Sequence, residues 1–489
     1  MLKLNRITLI AGFLLIVAIA FSFAENQGTP MPPGAPGKAE LTKQQAAEIS
    51  EIMADPAVKQ AKVSALVKNL RTGQVLYSKN EKQLVIPAST NKLITGAAAL
   101  NVLGTNYQFK TEVFADRRPD ESGTVRGNLY IVGGGDPNLS VEEVYAIAHG
   151  IRIAGVKSVT GDLVGDDSFH DQERFYADWG DQGHRAYHAS LGALSVNWNT
   201  VTFWVRPGPK PGTPAVVTID PLPKDFPISG TINTVDGAKS SCYLNFSSRQ
   251  ATISGSIGVD AIPGPTSQAV AEPLTMALGL FREMLNKEGI TVTGQSRAGL
   301  TPSGAALIYE HKSEELSLIL RRLYRFSNNF TAEQILRTLG AVKYGKPGSR
   351  EKGGNAVVDW LRQEKLYQDG VAVFDGSGLS RENRESAASM TGVLEYMYHN
   401  VRVFPEYLDA QPIAGVDGTL RKRFKHTNLV GRVRAKTGLL NGVISLAGYS
   451  YDTRGELYAF AVLINDYSPT KGVRGPQGVT EELLEVLMQ

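Results

Sequence analysis

The sequence predicts an α+β protein in which an antiparallel sheet, flanked by helices, is built from both ends of the chain. Two strand-like runs separated by the turn LRTGQ lie near the start, between Ala61 and Asn80. Two strongly apolar runs, ISLAGYSYD and YAFAVLIN, lie near the end and are divided by DTRGE. Helical patterns lie between these pairs, so the first and last strands can share one helix-covered sheet.

Composition indicates a globular chain that folds by burying apolar surface. Of its 489 residues, 42% are hydrophobic and 20% are charged, which is enough for two or three domains. The net charge of +3 argues against nucleic acid as the main partner. Cys242 is the single cysteine, so the chain can form no internal disulfide, and we expect a buried, inert thiol.

The amino-terminal segment is typical of an exported protein. Lys3 and Arg6 precede the apolar run 7–21, and the small residues of SFA at 22–24 suit a cleavage site. An uncleaved anchor is the open alternative, because the run is only slightly shorter than the ~18 residues of a membrane span. We therefore expect a periplasmic or extracellular protein, with membrane contact at most through an uncleaved amino-terminal segment.

Changes in composition divide the rest of the chain. From about residue 105, short runs rich in Val, Ile, Thr, Phe and Trp, bounded by Gly and Pro, predict an antiparallel β insertion with one helix over 141–155. The stretch IPGPTS is typical of a boundary loop. The predicted organisation is a signal peptide (1–24), a flexible Pro/Gly-rich linker (25–40), the first part of the main domain (41–104), the β-rich insertion (105–264) and the second part of the main domain (265–489).

The stretch PASTNKLITGAAAL places a serine and a lysine on one helical face. Pro87 precedes a helix that we expect to begin at or just after Ser89, and Lys92 follows three residues later. Apolar neighbours of Lys92 favour its neutral amine, which can act as a base toward a hydroxyl group. The alternative is a capping serine followed by a lysine whose amine reaches water.

Two later stretches favour the catalytic interpretation. The SNN of FSNNFTAEQ begins at Ser327 in a polar loop, and the KTG of RVRAKTGLLNGV begins at Lys436 at the head of a predicted strand. Taken singly, they could be a helix cap and a turn. Together, the ordered set S-x-x-K, S-D-N and K-T-G is characteristic of penicillin-binding proteins and class A β-lactamases. This chain has Asn328 where that set has aspartate.

On these motifs the chain resembles the class C low-molecular-mass penicillin-binding proteins, the D-alanyl-D-alanine carboxypeptidase/endopeptidases of the S13 peptidase type. The separation of Ser89 from Ser327 exceeds that of β-lactamases and matches the inserted domains of that family. The stretches GGGDPNL, DGSGLSRENR and PIAGVDGTLRKR are also similar to it. The resemblance implies a penicillin-recognising serine transferase fold: an antiparallel sheet flanked by helices, a helical subdomain, and β-rich domains inserted between the first and second motifs.

The resemblance also implies roles for the first two motifs. Ser89 is expected to be the nucleophile, acylated by the penultimate D-alanine carbonyl of a peptidoglycan stem peptide or by a β-lactam. Lys92 is expected to take the proton of Ser89. Ser327 is expected to pass a proton to the leaving amine, and Asn329 to hold the lysine and the substrate amide.

The third motif is expected to bind substrate. Lys436 would raise the local positive potential and, with Thr437, hold the terminal carboxylate. Gly438 would let the substrate backbone lie along the strand edge. The backbone N–H groups of Ser89 and Leu439 are expected to form the oxyanion hole. Because like charges lower each other's pKa, the two motif lysines would favour a neutral amine near pH 7 without a histidine.

The sequence thus predicts a serine D,D-peptidase of the cell wall that removes terminal D-alanine, cleaves D-Ala-meso-diaminopimelate cross-links, or does both. Its expected partners are peptidoglycan stem peptides and β-lactam antibiotics, with no nucleic acid, no cofactor and no metal. Two alternatives remain open at this point. One is a β-lactamase or esterase with the same nucleophile, and the other is a non-catalytic peptidoglycan-binding protein.

Three further signals are interpreted as structural. His184 and His188 have the i, i+4 spacing of zinc ligands, but the glutamate of H-E-x-x-H is missing. The stretch DGSGLSR is expected to be a turn near the site, with Ser377 and Ser380 as capping residues. Asp167 could reach a substrate amine from the insertion, but a turn aspartate is the favoured interpretation.

Overall fold

The computed structural model describes residues 41–180, 185–247, 250–262, 264–468 and 475–489. The predicted signal peptide and linker, residues 1–24 and 25–40, lie outside the described residues. Among the helices of the described ranges, none combines the length and the apolar character that crossing a membrane requires.

The described part of the chain contains ten α-helices and nineteen strands, together with five short 3₁₀ helices. The helices are α1 (Lys43–Met53), α2 (Asn91–Val102), α3 (Val141–Ile153), α4 (Pro273–Lys287), α5 (Leu316–Phe326), α6 (Asn329–Tyr344), α7 (Arg350–Gln363), α8 (Ala387–His399), α9 (Phe404–Ala410) and α10 (Gly475–Leu487). The strands are β1 (Lys62–Asn69), β2 (Val75–Lys79), β3 (Lys110–Ala115), β4 (Thr124–Val125), β5 (Leu129–Gly133), β6 (Ser158–Val159), β7 (Leu163–Asp166), β8 (Thr200–Arg206), β9 (Val216–Asp220), β10 (Ile228–Val235), β11 (Ser240–Phe246), β12 (Ala251–Gly258), β13 (Pro265–Ala269), β14 (Thr291–Val292), β15 (Ser296–Ala298), β16 (Ala306–Lys312), β17 (Val433–Leu440), β18 (Val443–Tyr451) and β19 (Leu457–Asn465).

The main domain is organised by a five-stranded antiparallel sheet in the order β17-β18-β19-β1-β2. The first strand pairs along its length with the last one, from Lys62 opposite Asn465 to Asn69 opposite Tyr458. This pairing confirms that the two ends of the chain share one sheet. Strand β17 lies at one edge, where its outer side is available for other contacts.

Helices cover both faces of this sheet, as predicted. On one face, Ile49 and Ile52 of α1 and Leu483 of α10 join a core with Phe460 of β19. On the other face, α2 and α5–α9 form a larger core. Helix α2 is buried from Asn91 to Leu100, which is typical of a helix surrounded by protein. The α+β class is therefore confirmed.

The insertion between α2 and α5 is a mixed β structure rather than the antiparallel one that we predicted. Its largest sheet has the order β15-β7-β5-β3-β16. Strands β5 and β7 are parallel, as are β7 and β15, and β10 and β12 are parallel in a smaller sheet. The β5–β7 connection contains α3, which confirms the predicted helix in this region and supplies the crossover that parallel strands need.

The insertion also extends beyond its predicted boundary between residues 264 and 265. Strand β13 pairs with β8, and β16 pairs with β3, with Lys312 opposite Lys110. Helix α4 buries Met276 and Phe281 in the core of the insertion. The boundary was wrong because the change from strand-like to helical pattern at α4 does not show which core the helix packs against.

Cys242 is less buried than we expected. It lies half-buried on β11, and its Sγ donates to the carbonyl of Ser256 at 3.3 Å. Burial raises the pKa of the thiol, so the protonated and less nucleophilic form is favoured. The geometry is therefore compatible with an inert cysteine, although not with a fully buried one.

Gly96 allows α2 and α5 to approach closely, and this contact gives a test of the core. A Cβ atom at Gly96 would collide with the hydroxyl of Tyr324, whose ring is fully buried against Tyr407. We expect Gly96→Ala to lower the free energy of unfolding by about 1–3 kcal/mol, measured by denaturant titration. Gly392→Ala is the matched control: its Cβ would meet no atom within 4 Å, so it should stabilise α8 by about 0.5–1 kcal/mol. Equal effects of the two variants would contradict this account.

Candidate active site

Ser89 and Lys92 meet where the main sheet adjoins the buried helix α2. A 3₁₀ turn over Ala88–Thr90 leads directly into α2, so the predicted helical spacing is realised. Lys92 Nζ lies 2.9 Å from Ser89 Oγ. Ser89 is half-buried and can be reached from solvent, whereas Lys92 is fully buried. Ala88 has a positive φ of 49°, a conformation that costs least for a small side chain.

Three oxygen atoms surround the amine of Lys92. Besides Ser89 Oγ, its Nζ lies 2.7 Å from Asn329 Oδ1 and 2.5 Å from the carbonyl oxygen of Ser377. A neutral amine has two N–H groups and one lone pair. The amide and carbonyl oxygens can only accept, so they take the two N–H groups and leave the lone pair for the hydroxyl of Ser89. This arrangement is the one expected of an amine that takes the proton of Ser89.

Burial sets the protonation state of Lys92. It lowers the pKa of the amine to about 7, against the opposing charges of Asp375 and Glu333. We expected the two lysines to lower each other's pKa. This effect is present at Lys436, whose pKa is held well below its usual value by burial and, secondly, by the charge of Lys92. The neutral form of Lys92 therefore depends chiefly on desolvation rather than on Lys436.

The SNN motif joins two helices at the site. Ser327 ends α5 in a left-handed conformation with φ of 55°, and Asn329 begins α6. Between them, the side chain of Asn328 caps α6 by accepting from Thr331 N at 3.0 Å. Asparagine and aspartate are comparable helix caps, which explains physically why asparagine is suitable at the second motif position.

Lys436 links the third motif to the second. Its Nζ donates to Ser327 Oγ at 2.8 Å and to the carbonyl of Thr437 at 2.8 Å. The motif lies in the middle of β17 rather than at the head of a strand, because the pairing with β18 begins at Val433. Lys436 is fully buried at this position.

The outer edge of β17 is open beyond its first residues. Ala435 N–H donates to the carbonyl of Pro412 at 3.0 Å, so this N–H points away from β18. Strands repeat every two residues, so the N–H groups of Thr437 and Leu439 also face outward. The geometry supports the expectation that Leu439 N–H is an oxyanion donor, while its side chain is 60% exposed.

Gly438 has a packing role that the sequence did not reveal. A Cβ at this position would collide with Ser445 Oγ and lie only 2.9 Å from the carbonyl oxygen of Pro87. Ser445 Oγ itself donates to that carbonyl at 2.6 Å. Gly438 is therefore required for β17 to approach the turn that carries Ser89, whether or not substrate is present. Thr437 Oγ1 donates to Thr419 Oγ1 at 3.0 Å.

The DGSGLSR turn contributes more to the site than we predicted. Ser377 Oγ and Ser380 Oγ cap the following backbone at 3.3 and 3.2 Å, as expected. In addition, the carbonyl of Ser377 accepts from Lys92, and Glu333 of α6 fixes this segment by accepting from Gly376 N and Ser377 N at 3.2 and 2.8 Å. The bond from Lys92 to the Ser377 carbonyl is made through the main chain and requires no particular side chain at position 377, so no sequence motif could have predicted it.

The insertion also reaches the site. Asn329 Nδ2 donates one of its two N–H groups to the carbonyl of Tyr187 at 2.9 Å. The second N–H group is the one that the expected contact with the substrate amide would use. Trp179 Nε1 donates to Asp375 Oδ2 at 2.9 Å. These two contacts connect the insertion to the second motif and to the turn that faces Lys92.

The signals that we set aside have structural surroundings. His184 lies outside the described residues, and His188 is buried with its ring stacked on Trp179 at 5.6 Å. Asp167 is buried, paired with Arg174 at 2.5 Å, and accepts from Leu194 N at 2.6 Å. These contacts favour the interpretation of Asp167 as a structural residue.

Comparison with known proteins decides the family. The model of the D-Ala-D-Ala carboxypeptidase 3 (S13) family matches residues 45–481. The chain belongs to the S13 peptidase family. It is 34% identical over 441 residues to a D-alanyl-D-alanine carboxypeptidase of Actinomadura sp. (strain R39), covering 86% of this chain and 81% of the relative. It is also 30% identical to the D-alanyl-D-alanine carboxypeptidase DacB of Haemophilus influenzae, covering 83% and 86% of the two chains.

Solved structures agree with this assignment. The crystal structure of penicillin binding protein 4 (dacB) from Haemophilus influenzae matches with a TM-score of 0.78 and 27% identity, covering 89% of this chain and 98% of that one. A second structure of that protein, complexed with a β-lactam, matches with a TM-score of 0.73. The predicted penicillin-binding protein fold is confirmed. The enzyme is a serine-type D,D-peptidase of the cell wall.

The pKa of Lys92 predicts the pH dependence of acylation. Only the neutral amine can accept the proton of Ser89, so the second-order rate constant for acylation by a fluorescent penicillin should rise with pH, with a midpoint near the Lys92 pKa of about 7. The measurement is labelling kinetics between pH 5 and 9. A rate that does not change across this range would contradict the proposed base.

Glu333 should influence this midpoint through its charge. Because Glu333 raises the pKa of Lys92, we expect Glu333→Gln to shift the midpoint of the acylation profile to lower pH. Glu385→Gln is the matched control, since Glu385 is equally buried, has a raised pKa of about 8, and lies before α8 rather than beside Lys92. A midpoint that rises, or that shifts equally in both variants, would exclude this role for Glu333.

Proposed function

We propose that the enzyme cleaves the D-alanyl bond of peptidoglycan stem peptides through an acyl-enzyme on Ser89. The observation that carries this proposal is the fully buried Lys92 amine, 2.9 Å from the serine oxygen and with a pKa lowered to about 7 by burial. The Ser89 proton passes to Lys92 as Oγ bonds to the penultimate D-alanine carbonyl carbon. The same attack on a β-lactam carbonyl produces a stable adduct.

The negative charge that develops on the substrate oxygen needs donors fixed in advance. We assign this role to the N–H groups of Ser89 and Leu439, because Leu439 N–H faces the open edge of β17. Each donor of this kind contributes ~3 kcal/mol to transition-state stabilisation in well-studied enzymes. The substrate backbone then lies beside β17, where main-chain hydrogen bonds supply affinity.

Collapse of the intermediate breaks the C–N bond, and the leaving amine must receive a proton. Ser327 is placed for this step, because its hydroxyl oxygen accepts from Lys436 Nζ at 2.8 Å and its own proton is therefore free to be donated. The proton that Lys92 took from Ser89 then returns to Ser327, which leaves Lys92 neutral again. Water attacks the acyl-enzyme, its oxygen forms the new carboxyl group, one of its protons returns to Ser89, and the shortened peptide is released.

The substrate carboxylate requires a cation at the third motif. Burial and the charge of Lys92 lower the pKa of Lys436, and a carboxylate bound beside it would raise that pKa again. Thr437, joined to Thr419 by a hydrogen bond, adds a hydroxyl at the same edge. We therefore propose that Lys436 is protonated when a terminal D-alanine carboxylate or a β-lactam carboxylate binds.

We propose, in addition, that the enzyme acts in the periplasm or outside the cell after export by residues 1–24. The basic residues, the apolar run and the SFA stretch at 22–24 support this assignment. The amino-terminal mass of the protein isolated from its host distinguishes the cases. A mature chain that begins near residue 25 supports cleavage, whereas an intact amino terminus in the membrane fraction indicates an anchor.

Replacement of the nucleophile gives the first test. We expect Ser89→Ala to abolish the fluorescent penicillin adduct while the thermal unfolding midpoint stays close to that of the wild type. Ser349→Ala, which removes a cap of α7 away from the site, should retain labelling and lose about 1 kcal/mol of stability. An adduct on Ser89→Ala would place the nucleophile elsewhere, and rapid release of the drug by the wild type would favour a β-lactamase.

The bond that is cut is identified by mass spectrometry of purified peptidoglycan fragments after incubation. We expect the wild type to remove one terminal alanine from a monomeric pentapeptide fragment and to split a D-Ala-meso-diaminopimelate cross-linked dimer. Both losses should disappear in Ser89→Ala. A wild-type enzyme that leaves both fragments unchanged would contradict the proposed substrate.

A further inference from the structure

A second cluster of ionisable side chains lies apart from the catalytic lysines, where the insertion meets α5. Asp136 belongs to the GGGDPNL stretch between β5 and α3, Glu143 lies in the first turn of α3, and His311 lies on β16. One potential ligand atom from each of these three residues lies within 4.8 Å of the other two. Three separate segments of the insertion therefore converge on one point.

Two atoms of this cluster have no hydrogen-bond partner among the described residues. Asp136 is only 2% exposed; its Oδ1 accepts from Asn138 N at 2.9 Å, but its Oδ2 makes no hydrogen bond in the described part of the chain. The Nε2 atom of His311 is buried and likewise without a hydrogen bond there. Buried polar atoms normally have partners, so two such atoms facing one point require an explanation.

Glu143 supplies the third atom. Its Oε2 accepts from Ser140 N at 2.7 Å and completes the capping box of α3, which fixes the carboxylate in place. Its Oε1 faces the cluster at 3.9 Å from His311 Nε2, too far for a hydrogen bond. The capping contact therefore orients Glu143 without satisfying the oxygen that points toward His311.

The charges near the cluster are unbalanced. Asp136 is almost fully buried, and the carboxylates of Glu143 and Glu314 lie close enough to act on it electrostatically. Glu314 is neutralised by Arg322 of α5 at 2.6 Å, whereas Asp136 forms no ion pair with the described residues. Two carboxylates beside an imidazole are costly to bury without partners, and a bound cation would offset that cost.

We propose that Asp136, Glu143 and His311 bind one divalent transition-metal ion of the Zn²⁺ or Mn²⁺ class. An imidazole nitrogen with two carboxylate oxygens suits such ions, whereas Ca²⁺ and Mg²⁺ prefer oxygen ligands alone. Ligand atoms around tetrahedral Zn²⁺ lie about 3.3 Å apart, so side-chain shifts of about 1 Å would complete the site. Water molecules would fill the remaining positions.

The location indicates a structural role. A Cβ at Gly135 would lie 2.8 Å from His170 and 3.1 Å from Thr338, so the loop that carries Asp136 packs directly on α6. Arg322, which holds Glu314 beside the cluster, lies on α5 shortly before Ser327. The ion would therefore hold the insertion against the two helices that position the second catalytic motif.

Titration of the full chain, after treatment with a chelator, tests the proposal. We expect isothermal titration with ZnCl₂ or MnCl₂ to give one site, bound at least tenfold more weakly by His311→Gln and by Asp136→Asn. His149→Gln is the matched control: His149 is a half-exposed histidine paired with Glu288, and its replacement should leave the affinity unchanged. MgCl₂ should bind at least tenfold more weakly than ZnCl₂.

The midpoint of thermal unfolding is the second measurement. It also shows whether a variant that fails to bind metal is still folded. With Zn²⁺ the wild-type midpoint should rise, and in chelator Asp136→Asn should be at least as stable as the wild type because it removes an unpaired buried charge. Glu143→Gln, at a less buried position, should show the same loss of metal response. The absence of a one-site isotherm for the wild type, or variants that bind Zn²⁺ as the wild type does, would overturn the proposal.

Discussion

The amine of Lys92 lies among buried apolar residues of α2, and the catalytic arrangement follows from the cost of placing a charge there. Desolvation favours the neutral form, while the carboxylates of Asp375 and Glu333 keep the pKa from falling further. The result is an amine that is half-protonated near neutral pH, which suits the proposed role as a base. Because Asn329 and Ser377 occupy its two N–H groups, its lone pair has one remaining direction, toward Ser89.

Much of the main domain could be predicted because its signals are local. The period of the apolar residues, the turn between β1 and β2 and the spacing of Ser89 and Lys92 are all contained in short windows. The pairing of strands is not local. The sequence identified β-rich runs after residue 105 but could not show that β5 and β7 run parallel or that β16 returns to β3. The predicted end of the insertion was too early for this reason.

The site shows the same limit at the level of single residues. The side chains that meet at the site belong to motifs and were found by their spacing. The groups that were missed act through the backbone, such as the carbonyls of Ser377 and Tyr187, or through a buried charge, as Glu333 does. The backbone contacts require no particular side chain, and Glu333 lies in none of the three motifs, so no residue pattern marks these groups.

The hydrogen bond from Asn329 to the carbonyl of Tyr187 has a consequence for any attempt to shorten this enzyme. The insertion resembles an appendage that could be removed while both parts of the peptidase domain are kept. Its excision would leave the amide of Asn329 without its acceptor, and the side chain could then rotate away from Lys92. A minimal version of the catalyst would have to supply a substitute oxygen at that point, or it would lose the alignment of its base.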